Sequence, residues 1–98
     1  MKIIKSDRRY KFYRSGFEHI LEFRTTRADV ANYQSVLLGI EQTYGPYLSY
    51  NWEVSTQPKI NEKFKVDYSM KLKRRRIYLK TEQEVSLFLL KSQINLPA

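Results

Sequence analysis

Strict alternation of apolar and polar side chains predicts three β-strands along the chain. They cover residues 17 to 26, 48 to 55 and 63 to 73. The third pattern is the clearest, because apolar residues from Phe64 to Leu72 alternate with a polar set that includes four lysines. We expect one face of that strand to be buried and the other face to carry the charge.

The alternation breaks after Leu72, since the next apolar residue, Ile77, lies five positions further on. A turn or bulge is therefore predicted over the run Lys73 to Arg76. A short last strand is predicted from Ile77 to Lys80, and a loop over residues 57 to 61.

Two segments with apolar residues at helical spacing predict α-helices. The first has an apolar stripe from Val30 to Tyr44 and ends at Gly45 and Pro46. The second follows Thr81 and leaves a short tail after Ile94. Each helix is preceded by a threonine with a carboxylate three residues on, the spacing of a capping box, although the first box has an aspartate, a weaker partner.

The predicted order is therefore strand, helix, three strands and helix, which favours an α+β fold. We expect a two-layer sandwich in which an antiparallel sheet of about four strands carries both helices on one face. Residues 16 to 98 are predicted to form this single domain, and residues 1 to 15 a basic aromatic arm or an edge strand. The predicted core consists of Leu21, Phe23, Val30, Leu37, Ile40, Leu48, Trp52, Val54, Phe64, Val66, Met70, Ile77, Leu79, Val85, Phe88 and Leu89.

Composition limits the class of protein. A chain of 98 residues, 42% of them hydrophobic, has room for one packed domain. It contains no cysteine, which excludes disulfides and thiolate metal sites and suits a reducing compartment. Since no apolar run approaches the roughly 18 residues of a membrane span and no export signal is visible, we expect a cytoplasmic protein that does not bind a membrane.

The formal net charge of +8 comes from two segments. Residues 1 to 14 contain six basic residues and one acidic residue, and residues 63 to 80 contain eight basic residues and one acidic residue. Such a segregated positive field attracts anionic partners, and lysine and arginine neutralise the phosphates of DNA or RNA. The candidate nucleic-acid-binding residues are Lys63, Lys65, Lys71, Lys73, Arg74, Arg75, Arg76, Arg8, Arg9, Lys11 and Arg14.

Other interpretations of these residues stay open. Lysines on an exposed strand also prevent edge-to-edge pairing, and a basic surface keeps a protein in solution. In the arm, Tyr10, Phe12 and Tyr13 either stack on bases or attach the arm to the core. An acidic protein partner or self-association is the alternative to nucleic acid.

An enzyme is the least favoured interpretation, since a metal-dependent nuclease would need carboxylates such as Glu18 and Glu22, which share a strand face, to converge beside a lysine. His19 is the single histidine and has no companion at metal-ligand spacing. Glu82 and Glu84 lie in the predicted first turn of a helix, where the helix dipole favours carboxylates. With three glycines and no phosphate-binding motif, the chain is predicted to be a non-enzymatic binding protein without metal or cofactor.

Two resemblances to known families follow from the order of elements and from the C-terminal residues. From the first predicted helix onward, about 68 residues resemble the topology of the double-stranded-RNA-binding domain, but that family has basic residues at the start of its last helix. This chain has Thr81, Glu82, Gln83 and Glu84 there, so the function is not transferred. The run from Arg76 to Glu84, with Leu87 to Leu90, resembles the closing segment of small accessory proteins of tailed bacteriophages, which implies a location in the host cytoplasm.

Overall fold

The structure is a computed structural model that describes residues 1–51 and 55–93. Within this part of the chain the order of elements is β1 (Lys2–Lys5), β2 (His19–Arg24), α1 (Arg27–Tyr44), β3 (Leu48–Asn51), β4 (Ser55–Ile60), β5 (Lys65–Ser69), β6 (Arg74–Leu79) and α2 (Glu82–Lys91). Four strands form an antiparallel sheet in the order β1-β2-β6-β5, and β3 and β4 form a separate two-stranded sheet. The predicted α+β class, with an antiparallel sheet of about four strands and two helices, is confirmed.

Both helices begin, and α1 ends, where local signals predict, whereas α2 ends at Lys91, before the tail predicted after Ile94. Thr81 and Glu84 form a complete capping box, in which the Thr81 hydroxyl accepts from the Glu84 amide at 3.2 Å and the Glu84 carboxylate accepts from the Thr81 amide at 3.0 Å. Helix α1 ends before Gly45, which takes a positive φ of 87°. At the start of α1, Thr26 accepts from the Asp29 amide at 3.3 Å, but the predicted return bond is absent among the described contacts.

The Asp29 carboxylate instead joins β1 and β2 to α1. It accepts a hydrogen bond from the Arg24 amide at 2.9 Å and forms an ion pair with the Met1 ammonium at 2.9 Å. Burial opposes ionisation of this carboxyl, but these two donors outweigh it and hold the pKa of Asp29 below its usual value.

The larger core lies between the sheet and the helices. It consists of Leu21, Phe23, Val36, Ile40, Phe64, Ile77, Leu79, Val85, Phe88 and Leu89. Nine of these ten residues were expected there, and Val36 was missed. The predicted core positions Leu48 and Met70 are wrong, since both side chains are exposed, and the predicted positions Trp52 and Val54 lie outside the described residues.

A second, smaller core covers the opposite face of the main sheet, here called the outer face. It consists of Phe17, Ile20 and Tyr78, with the half-buried Tyr10 and Phe12 packed against them. The segment between β1 and β2 supplies most of this cover. The Phe12 ring lies 5.0 Å from the Tyr78 ring in an edge-on contact, and Phe12 takes a positive φ of 65° there. Tyr10 and Phe12 thus attach that segment to the sheet.

The prediction for residues 63 to 80 was wrong about where the turn lies. Strand β5 ends at Ser69, and the four residues that follow form the turn to β6. The Ser69 hydroxyl accepts from the Leu72 amide at 3.1 Å, and Lys73 takes a positive φ of 50°, so the chain reverses without glycine or proline. As a result, the three arginines at 74 to 76 lie in a strand in the middle of the sheet rather than in a turn.

The loop predicted over residues 57 to 61 is also wrong, because most of it belongs to β4. Pro58 is tolerated there because, among the described strands, β4 pairs with β3 alone and its other edge does not need an amide at this position. Asn61, just after β4, donates to the Tyr44 carbonyl at 2.8 Å and so closes the end of α1. Four strands rather than the expected three therefore separate the helices.

Candidate nucleic-acid interface

Arg76, one of the sequence-predicted phosphate contacts, is part of an internal ion pair. Its side chain lies on the outer face of β6 and the residue is only 9% exposed. The guanidinium donates to Glu22 of β2 through Nε at 2.9 Å, its Nη2 lies 2.8 Å from the same carboxylate oxygen, and its central carbon lies 5.3 Å from the Tyr10 ring centre. Burial opposes its charge, but the Glu22 carboxylate prevails and raises the pKa of Arg76. Arg76 therefore stabilises the fold and does not face a ligand.

Arg75 points to the other face of the sheet. Its guanidinium carbon lies 4.9 Å from the ring centre of Tyr68 on β5 and 5.5 Å from that of Tyr33 on α1. Such contacts between a guanidinium and two aromatic rings are favourable when partly desolvated. The side chain joins helix α1 to the edge of the sheet, so this second predicted contact is also occupied within the protein.

Arg74, the third residue of the run, lines an open cleft where β2 runs into α1 and β6 begins. The cleft has a volume of about 450 Å³. We call it the basic cleft, and its lining residues are Glu22, Arg24, Thr25, Thr26, Leu72, Lys73 and Arg74. It brings together two predicted residues, Lys73 and Arg74, with one that the sequence analysis missed, Arg24.

The electrostatics of the basic cleft are unbalanced. Arg24 and Arg74 are directly opposite each other on neighbouring strands, where two like charges repel. The single carboxylate of the lining, Glu22, already pairs with Arg76 and lies 3.5 Å from Arg74. Neither Arg24 nor Lys73 forms a salt bridge with any residue that the structure describes. An anion in this cleft would relieve the repulsion.

The predicted lysines do not share one strand face. Lys63 precedes β5 and Lys71 and Lys73 follow it, so they lie beyond opposite ends of a strand of five residues, roughly 16 Å long. Lys65 is half-buried, and its ammonium donates to the Asn61 carbonyl at 3.2 Å. The prediction of a continuous lysine face from 63 to 73 is therefore wrong, and of these four lysines Lys73 lines the basic cleft.

The basic residues before β2 differ in their partners. Arg9 forms an exposed pair with Asp7 at 2.7 Å, and this contact lowers the pKa of Asp7 to about 2. Lys11 lies 3.4 Å from Asp67 of β5. Arg8 is exposed and lines a second open cleft, of about 540 Å³, with Arg9, Asp7 and Tyr13. Arg14 is exposed as well.

A sequence signal for Arg24 was present but incomplete. The alternation along β2 puts Arg24 on the same face as Glu22, shortly before the threonine that caps α1. Only the register between β2 and β6 brings it opposite Arg74. That register depends on contacts about fifty residues apart along the chain, which a local pattern does not contain.

The single histidine, His19, and the acidic Glu22 lie on opposite faces of β2. His19 is half-buried in β2, opposite Leu79, and Glu22 is occupied by the arginines. Among residues 1–51 and 55–93, no three histidine, cysteine or acidic side chains lie close enough to hold a metal ion. No helix in that same part of the chain has the length and apolar content to cross a membrane.

Comparisons with known proteins add no relative. No family model matches the chain, and neither a curated protein nor a solved structure is significantly similar to it. The resemblance to phage accessory proteins therefore stays a prediction.

Proposed function

We propose that this protein is a small non-enzymatic module that binds the phosphates of DNA or RNA, without strong sequence specificity, through the basic cleft. The observation that carries the proposal is the pair Arg24 and Arg74, directly opposite each other with Lys73 beside them and one shared, already paired carboxylate. A fold that only needed a basic surface would separate these charges, because close like charges cost stability.

The chemistry of the lining suits a phosphate group. Arginine presents a planar fork of N–H donors that matches phosphate oxygens in pairs, and lysine adds a point charge. The hydroxyls of Thr25 and Thr26 are further donors at the same cleft. Contacts from these groups to phosphate oxygens position a nucleic acid backbone and carry no sequence information.

The other predicted contacts take different parts in this proposal. The exposed Lys71 extends the positive charge along the turn, and Arg8 and Arg14 of the first fifteen residues offer a second, weaker region. Arg75 and Arg76 support the fold and do not touch phosphate. The cytoplasm, including that of a phage-infected host, holds accessible nucleic acid and suits a chain without cysteine.

Fluorescence anisotropy with random-sequence DNA and RNA of equal length tests the proposal. A cleft variant, Arg24→Gln with Lys73→Gln, is compared with a control variant, Lys5→Gln with Lys59→Gln, which removes the same charge at exposed positions elsewhere. We expect the cleft variant to bind at least about tenfold more weakly than the control, and equally so for every sequence. Equal affinities for the two variants would reject the cleft as the site.

Self-association or an acidic protein partner is the second candidate function, and exposed leucines on the helices favour it. Leu90 is 77% exposed and Leu38 is 58% exposed, and both lie on the side of the helices away from the sheet. Light scattering distinguishes the two candidates. A dimer mass that reverts to the monomer mass in Leu90→Ser would support assembly, whereas a monomer at about 0.1 mM would reject self-association.

A further inference from the structure

The turn between β5 and β6 combines exposed apolar side chains with cations. We call residues 70 to 73 the tip. Met70 is 73% exposed and Leu72 is 56% exposed, although methionine and leucine are usually buried. Lys71 and Lys73 lie between and after them, and Leu72 also lines the basic cleft.

The turn at the tip is closed by contacts of Ser69 at its base. The Ser69 hydroxyl accepts from the Leu72 amide at 3.1 Å, and Ser69 is paired with Arg74 at the base of the turn. Lys73 takes a left-handed conformation, with a φ of 50°, that residues with a side chain rarely adopt. An ordered turn that exposes two apolar side chains is suited to insertion into a partner.

The partner must offer an apolar surface and anionic groups within a few ångströms of each other. A nucleic acid duplex does so, because a base step lies between phosphates, and proteins insert Leu or Met at such steps. An amphipathic membrane anchor differs in that it spreads a larger apolar area over the faces of a helix. Two apolar side chains on a short turn beside the basic cleft fit the base step better.

We propose that Met70 and Leu72 insert as a wedge between neighbouring base pairs of a duplex, while Lys71 and the basic cleft hold the flanking phosphates. This inference rests on the proposed function, since the cleft supplies most of the affinity. Insertion unstacks the bases, so a step that is already weakened by a mismatch should bind more tightly than an intact one.

The test uses two short DNA duplexes of the same length, one intact and one with a central mismatch, each carrying 2-aminopurine next to the central step. A tip variant, Met70→Ser with Leu72→Ser, is compared with Leu90→Ser, which removes an exposed leucine from α2. We expect the wild type and Leu90→Ser to prefer the mismatched duplex by about tenfold and to raise the 2-aminopurine fluorescence. The tip variant should keep its affinity for the intact duplex within about threefold and show neither effect.

Each contrary result is distinct. Duplex binding by the wild type with no mismatch preference and no fluorescence change would overturn the wedge and leave the proposed function standing. Absence of any nucleic acid binding at about 50 mM salt would reject both. Binding to vesicles of phosphatidylcholine and phosphatidylserine that is abolished in the tip variant, with unchanged DNA binding, would assign the tip to a membrane surface and overturn the wedge.

Discussion

Arg76 and Arg74 are two residues apart on the same face of β6, and both approach Glu22, yet their surroundings differ. Arg76 lies 2.8 Å from the carboxylate and beneath Tyr10, which belongs to the segment that covers the outer face. Arg74 lies 3.5 Å from it, beyond that cover, and lines the basic cleft. A spacing of two residues along β6 therefore separates an arginine that stabilises the fold from one that is available to a ligand.

The comparison explains why a run of arginines in a sequence is poor evidence for a continuous binding surface. Side chains alternate between the two faces of a strand, so Arg75 contacts Tyr33 and Tyr68 on the helix side. Of the two arginines left on the outer face, the covering segment buries one. The charge that can meet a partner comes from Arg74 together with residues distant in the chain, above all Arg24.

Replacing Arg76 and Arg74 separately by glutamine should give the largest difference in unfolding free energy. Arg76→Gln leaves Glu22 without its closest partner in a largely buried site, and breaking such a pair should cost about 3 kcal/mol of unfolding free energy. Arg74→Gln removes a longer, more exposed contact and should cost less than about 1 kcal/mol. Urea denaturation measures both values, and equal reductions would contradict the different roles assigned to them.

Glu22→Gln should lower the stability of the protein and raise its affinity for nucleic acid. It leaves the buried Arg76 charge uncompensated, so stability should fall by an amount similar to that of Arg76→Gln, about 3 kcal/mol. It also removes the only carboxylate of the basic cleft, so nucleic acid affinity should rise. Glu18→Gln, an exposed residue with the same charge change, is the control and should alter neither quantity strongly. Weaker binding by Glu22→Gln at a temperature where it is folded would argue against a phosphate in the cleft.

Thr81→Ala should lower stability through a residue that is remote from Arg74 and Arg76. The Thr81 hydroxyl accepts from the Glu84 amide at the start of α2, and removal of such a cap costs on the order of 1 kcal/mol. We expect a lower denaturation midpoint and an unchanged affinity for DNA. An unchanged midpoint would show that the capping box does not determine the start of α2.

Lys73→Gly should produce the smallest and most specific effect. The φ of 50° at Lys73 is strained for lysine and relaxed for glycine, so stability should rise slightly, by less than about 1 kcal/mol. Affinity for DNA should fall because a cation of the basic cleft is removed. Thermal unfolding and anisotropy on the same variant check the two signs, and a decrease in stability would mean that the turn does not need the left-handed conformation.

The parts of the fold that depend on local signals could be predicted from the sequence. The spacing of apolar residues and the caps at Thr81 and Gly45 are local, and in the described part of the chain both helices start, and α1 ends, where expected. The length of β5 could not be predicted in this way. Met70 and Leu72 continue its alternation into a turn that has neither glycine nor proline. The alternating pattern therefore extends beyond the end of the strand.

The candidate site depends on contacts that are distant in the sequence. The register of β2 with β6 determines that Arg24 meets Arg74 and that Glu22 meets Arg76. The packing of Tyr10 over the sheet then decides which of these side chains is covered. The two basic segments were therefore recognisable from the sequence, whereas the separation of buried from available charges required the tertiary structure.

The dependence of binding on salt tests most directly whether the basic cleft holds phosphates. The affinity of the wild type, the cleft variant and the charge-matched control variant for duplex DNA is measured from about 50 to 200 mM salt. A cation that neutralises a phosphate releases condensed counterions, so the slope of log K against log salt should become shallower by about 0.9 for each such cation that a variant lacks. We expect the slope of the cleft variant, which lacks two cations, to be shallower by about 1.8, and that of the control to be unchanged. The same slope for both variants would mean that binding follows overall charge and would contradict a phosphate-binding site in the basic cleft.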